Sequence, residues 1–347
     1  MLPSAGGGST KSGSTTDCFP LGRIREELQR SLMIYLQYAI KRVLHSVPVL
    51  LGVTLLVFFG IQCVPGDPIR IMTRGRVTDA AVAAIYQHLG MNRPLLIQYL
   101  DFLRKAVVGN LGESIIQHAP VTLLIAEKFW PSIWLLGTGT LFSVMLAIPL
   151  ALLSAYYRDR LIDHAIRLAS IFSFAMPSFW VGLLLILSFG IYLGWLPISG
   201  FGDDLISHVR HLVLPGLTIS LFLAPILVQS LRSSMLDVLT ADHVEVARAK
   251  GLSEWNILLR HVLPNALIPT ITVLAVNISW LLSGAVVVEY VFSLPGLGSL
   301  LIHSVGYRDY PLIQGLSLVF AILVVAVNLL ADLSYMLVDP RVRRANP

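Results

Sequence analysis

The side chains able to do covalent or acid–base chemistry are sparse and poorly placed for it. His208 and His211 stand three residues apart without the carboxylate partner of a zinc motif, so no metal site is expected. Cys18 lies in a polar tail and Cys63 in an apolar run, which reads as two unpaired thiols rather than a disulfide framework. No Ser/His/Asp set or carboxylate pair suggests nucleophilic or general acid–base catalysis, and no cofactor is expected. There is no Gly-x-x-x-x-Gly-Lys-Ser/Thr phosphate loop, so the chain is not expected to bind ATP itself. No basic run is interleaved with aromatics, which argues against nucleic acid. The polar groups of interest lie inside apolar stretches: Gln229, Asn277 and Asn328, with Glu289 at the end of one. Each could line a pathway for a solute. The competing reading is interhelical hydrogen bonding for the amides and an interfacial ion pair for Glu289.

The elements that must position these groups are membrane helices. Of 347 residues, 55% are hydrophobic and 13% charged, where a soluble domain carries about 25% charged residues. Lipid is the solvent that accepts so much apolar surface, and the net charge of +5 is spread over loops and tails. Six windows free of Asp, Glu, Lys and Arg are long enough to span a bilayer. They predict an all-α bundle of six transmembrane helices, near residues 43–66, 130–157, 168–194, 211–232, 265–288 and 312–334. The third window is longer than one span needs, and its end, Gly194 to Gly200, has turn chemistry. Arg158, Arg160 and Arg167, then Arg248, Lys250 and Arg260, then Arg341, Arg343 and Arg344 mark one side of the membrane, which places both termini in the cytoplasm.

The external loop 67–117 holds two further predicted helices. Thr78 caps one running to about Gly90, and Pro94 opens one ending near Gly109. Ala83, Ala84, Leu95, Leu96, Tyr99, Leu100 and Leu103 fit packing on the membrane domain. Residues 1–32, rich in Gly, Ser and Thr, read as a disordered cytoplasmic tail, and 337–347 as a cytoplasmic tail. Met33-Ile34-Tyr35-Leu36 looks like a natural start, so Met33 stands beside Met1 as a candidate start of translation. No internal repeat is evident. The absence of paired halves and of buried ionisable groups near mid-membrane weighs against the alternative of an ion-coupled secondary transporter. No His, Asp or Cys cluster at membrane depth supports a membrane enzyme.

The loop 240–264 is the most informative segment. Thr240 is a candidate cap for a helix whose first turn holds Asp242. Gly251 suits the left-handed end of that helix, and Ser253 a second short helix stopping before Pro264. Ala247, Ala249 and Gly251 are small enough for another protein to approach the backbone closely. Glu245-Val246-Ala247, then Gly251, then Leu263-Pro264, resembles the "EAA" loop of bacterial ABC-importer permeases, with Val246 for the usual first Ala and His261 for a usual apolar residue.

The run Ala247-Arg248-Ala249-Lys250-Gly251-Leu252 and Asn265 to Pro269 is similar to the dipeptide/oligopeptide/nickel branch. So are Val64 to Pro68, Leu89-Gly90 to Arg93-Pro94, Pro177 to Trp180, Leu196 to Gly200, Gly284 to Glu289, Pro295 to Gly298, Arg308 to Pro311 and Asp339 to Arg341. The resemblance covers about residues 33–344. It implies the type I ABC-importer permease fold, with its transmembrane domain at 118–336, in a bacterial plasma membrane. It implies a docking site for the ATPase made by Glu245, Ala247, Arg248, Ala249, Lys250, Gly251, Leu252, Leu263 and Pro264. The implied partners are two cytoplasmic ATPase subunits, a second and related permease chain, and an external solute-binding protein that delivers peptides. ATP-driven closure of the ATPases would then switch the pathway between outward and inward access.

Overall fold

The computed structural model describes residues 21–64, 78–80, 86–87 and 92–338. The described residues are helices and turns, with one isolated bridge between Glu113 and Pro120. The fold is therefore all-α. The chain divides into two units, Met1–His45 and Ser46–Pro347. Helix α1, Leu21–Gln62, starts in the first and ends in the second. This corrects the expected tail: 1–20 lie outside the described residues, but 21–32 are helical. The reason is visible in Leu21, Ile24, Leu28 and Leu32, an apolar spacing of helical period among strong helix formers. The expected helix from Thr78 to Gly90, the Val64 to Pro68 turn and the tail beyond Val338 fall largely or wholly outside the described residues.

Within the second unit, α2 spans Leu95–Val107 behind Pro94, and Gly109 follows it with φ +78°. Its Tyr99 is buried against Phe58 and hydrogen-bonds Thr54 and the Leu51 carbonyl. Leu95, Leu96 and Leu100 are exposed, so α2 is fastened through Tyr99 rather than through the whole apolar set. Then come α3 (Val121–Tyr156), α4 (Leu161–Ala175), α5 (Ser178–Leu185, continued by a π-helical stretch Ile186–Tyr192) and α6 (Leu205–Val238). The loop helices α7 (Asp242–Ala249) and α8 (Glu254–Ile257) follow. A π-helical stretch, Leu258–Val262, leads into α9 (Leu263–Val291), before α10 (Leu297–Tyr307) and α11 (Tyr310–Val338).

Among the described residues, five helical segments are long and apolar enough to cross a bilayer: Ala39–Gln62, Val121–Tyr156, Leu205–Val238, Glu254–Val291 and Tyr310–Leu333. The expected third span at 168–194 is instead a pair, α4 and α5, bent by 103°. Pro177 causes the break. It pushes the preceding Met176 into extended backbone (φ −78°, ψ 134°), which a continuing helix does not allow. The central core lies between α3, α6 and α9, around Leu135, Leu223, Leu227, Leu281 and Val288.

Candidate functional site

Helix α7 is fastened on one face and open on the other. Val244 and Ala247 are buried in a cluster with Leu152, Leu231, Met235 and Ile257, which roots the helix on the ends of α3 and α6. The opposite face exposes His243, Glu245, Val246, Ala249 and Lys250. The helix closes with two bonds: Leu252 N–H donates to the Ala247 carbonyl (3.3 Å) and Gly251 N–H to that of Arg248 (2.9 Å). This double closure needs a left-handed residue just past the helix, and Gly251 has φ +79°. A β-carbon at Gly251 would meet nothing within 4 Å, so the position demands glycine for its backbone, not for space.

Arg248 and Glu254 bridge the turn with two bonds, 2.7 and 3.2 Å. That hydrogen bond raises the Arg248 pKa, so the guanidinium stays charged while bracing the turn. Exposed apolar side chains flank it: Val246, Leu252, Trp255 and Leu259. Trp255 also meets Tyr156 edge to face.

Three expectations for this loop need correction. Thr240 does not cap α7. Its hydroxyl donates backward to the Asp237 carbonyl (2.7 Å), and Ala241 holds the cap position. The second helix does not stop before Pro264. It runs on from Glu254 through the π-helical stretch into α9, with Pro264 the second residue of α9. Ala247 is not an open docking surface, because it faces the chain's own core at 4% exposure. Ala249 and Gly251 are open, Leu263 is half-buried, and Pro264 is exposed.

The polar groups inside the bundle divide. Asn328 accepts a hydrogen bond from Ser279 (2.9 Å), tying α11 to α9. Asn277 donates to the Val273 carbonyl one turn back (2.7 Å). Gln229 is exposed on α6. Glu289 is 2% exposed and makes neither an ion pair nor an open contact. One oxygen takes the Ser132 hydroxyl (2.5 Å); the other takes the backbone N–H of Gly298 (2.7 Å) and Ser299 (3.1 Å). It caps α10, where a carboxylate suits the positive helix end. A β-carbon at Gly296 would lie 2.3 Å from this carboxylate, and one at Gly298 would lie 2.5 Å from the Val286 backbone. The Pro295 to Gly298 motif is thus the seat of Glu289. His208 and His211 each donate a ring N–H to a backbone carbonyl, of Phe201 and Ser207 (both 2.8 Å).

One polar centre was not singled out in the sequence. Asp163, fully buried in the first turn of α4, accepts two bonds from Arg232 of α6 (2.8 and 2.6 Å). It also takes the Ser154 hydroxyl of α3 (2.5 Å) and the Asp159 N–H (3.0 Å), with Arg167 at 3.6 Å. Only its place in a short charged turn between two apolar windows signalled it.

Comparison with known proteins matches this architecture. The family described as "Binding-protein-dependent transport system inner membrane component" matches residues 147–344, and its N-terminal companion matches 35–128. The oligopeptide transport system permease protein AppB of Bacillus subtilis is 38% identical over 311 residues, 88% of this chain and 98% of that protein. The glutathione transport system permease protein GsiC of Escherichia coli K12 is 36% identical over 308 residues, 89% and 99% of the two chains. An inward-facing structure of the MetNI methionine ABC transporter shares the fold, with TM-score 0.52, 17% identity, and 62% of this chain and 97% of that one covered. ATP hydrolysis in such systems resides on separate subunits, and an extracytoplasmic binding protein brings the solute. With its apolar helices, its rooted helix–glycine–helix loop and these relatives, the chain belongs to the binding-protein-dependent ABC importer permeases, as a multi-pass membrane component.

Proposed function

We propose that this chain forms half of a membrane pathway for peptides, the other half being a related, non-identical permease chain. The exposed face of the 240–264 loop docks on one of two cytoplasmic ATPase subunits, and both termini lie on that same side. The observation that carries this reading is the two-faced loop. Val244 and Ala247 fix α7 to the bundle, while Glu245, Val246, Lys250, Gly251, Leu252 and Trp255 are left open around a rigid turn. An element fixed to its own domain and open to a partner delivers movement rather than absorbing it. The peptide cargo follows from the relatives, which carry oligopeptides and glutathione by name. Of the four polar candidates, Gln229 is the one left for solute contact, since Asn277, Asn328 and Glu289 are engaged inside the chain.

The test is Gly251→Arg in the transporter assembled with its ATPases and binding protein. It combines a strained backbone with bulk on the docking face. The expected result is a chain present in the membrane, at least tenfold less co-purified ATPase, and no peptide uptake. Wild-type co-purification and uptake would refute the docking role.

A further inference from the structure

Helix α4 is fastened to α6 by polar and aromatic contacts at two places, with Ile166 packed against the central core between them. At one end is the Asp163–Arg232 pair. At the other, the Ser173 hydroxyl donates to the Leu221 carbonyl (2.6 Å), and Phe174 stacks on Phe222 at 5.1 Å. The Leu221 carbonyl is free for Ser173 because Pro225, one turn on, has no N–H to give it. The two fastenings are ten residues apart along α4, about 15 Å of helix. Between them lies an apolar cavity of about 380 Å³, lined by Ala165, Ile166 and Ala169 of α4, Leu150 of α3, and Ala224 and Val228 of α6. Ala165, Ala169 and Ala224 leave this stretch thinly filled, with Ile166 the α4 side chain that packs against the central core. No residue of α4 enters the apolar cluster that roots the docking loop. Arg232 and Met235, by contrast, stand within a turn of each other on α6, and Met235 is part of that cluster.

We infer that Asp163 and Arg232 are positioning residues that carry movement of the docking loop into α4, and from there to the bend at Met176-Pro177. A thinly packed helix follows its neighbour mainly through its fastenings, and this is the fastening nearest the loop. The bidentate geometry resists both sliding and rotation, which one hydrogen bond does not. Ser154 and the Asp159 N–H hold the carboxylate in place from α3 and the turn, so the pull is not lost in side-chain motion.

This rests on the proposed docking role of the loop. The experiment uses the complete reconstituted transporter with binding protein and peptide, and measures peptide moved per ATP hydrolysed. Asp163→Asn is expected to assemble within twofold of wild type and to hydrolyse ATP, with the transport ratio falling at least fivefold. Arg232→Lys, which keeps the charge but not the two-point grip, should fall between. Leu168→Ala, on the exposed face of α4, should match wild type. The double variant Asp163→Asn with Arg232→Gln leaves no buried charge unpaired and should be as uncoupled as the single one. A double variant with the wild-type ratio would overturn the inference, since the single effect would then come from an orphaned charge. So would a parallel fall of assembly, hydrolysis and uptake, or failure of both Asp163→Asn and Arg232→Lys to assemble, because each marks a role in folding alone. Loss of ATPase association by the wild-type chain would strike the docking role instead.

Discussion

The two ends of the bundle solve the same problem differently. At the end away from the 240–264 loop, Glu289 and Asp309 are buried and answered by neutral donors. Glu289 takes two backbone N–H groups and the Ser132 hydroxyl; Asp309 takes the Ser114 hydroxyl (2.5 Å) and the Ile115 N–H (3.3 Å). At the loop end, Asp163 is answered by a cation, Arg232, and the exposed Glu254 by another, Arg248. A carboxylate on a helix terminus is bound to one local geometry, and its bonds fail steeply with misalignment. An ion pair loses energy only as the inverse of distance. The far end is therefore held by neutral, directional bonds at a helix start, and the loop end by paired charges.

Breaking the far end should cost most. Glu289→Leu strands two buried N–H groups and a hydroxyl, each worth about 1–3 kcal/mol, so the chain should accumulate several-fold less in membranes and unfold earlier in detergent. Glu289→Gln, which retains an acceptor, should recover much of the loss. Wild-type accumulation of Glu289→Leu would remove the far-end half of the comparison. Gly298→Ala pushes a methyl group into the Val286 backbone and should cost about 1–3 kcal/mol, read as a lower unfolding temperature.

At the loop end the effects are smaller. Gly251→Ala forces a left-handed alanine at about 1–2 kcal/mol without a clash, and should show as faster proteolysis of the loop with little change in global unfolding. If Gly251→Ala lowered global unfolding as far as Glu289→Leu, the two ends would not differ. Smallest is the Arg248–Glu254 pair. It is exposed, and a double-mutant cycle should return under about 1 kcal/mol of coupling, fading with salt.

The helical character and the apolar windows were legible because lipid leaves so few options for backbone polar groups. The turn at Gly251 was legible because its chemistry is local: one left-handed residue closes one helix. The bend at Pro177 was equally local, and the effect of proline on Met176 could have announced it. Pro264 went the other way, since a π-helical stretch before it let the helix pass through. Residue facing inside α7 was less legible: Ala247 and Ala249 differ by two positions, and only the packing of Val244 on Met235 decides which is buried. The distant partners of Glu289 and Asp163 were beyond reach, because Ser132 is 157 residues from Glu289 and Arg232 is 69 from Asp163. Pairing at such range is set by the fold, not by spacing.

Continuity from Glu254 to Val291 has a mechanical consequence. The 38-residue segment starts in the 240–264 loop and contains Glu289 near its other end. At 1.5 Å per residue it is a lever of about 57 Å, so a tilt of about 5° at the loop displaces the Glu289 end sideways by about 5 Å. Because Glu289 grips the start of α10, such a displacement would carry α10 with it, so the far part of α9 and the start of α10 move as one body.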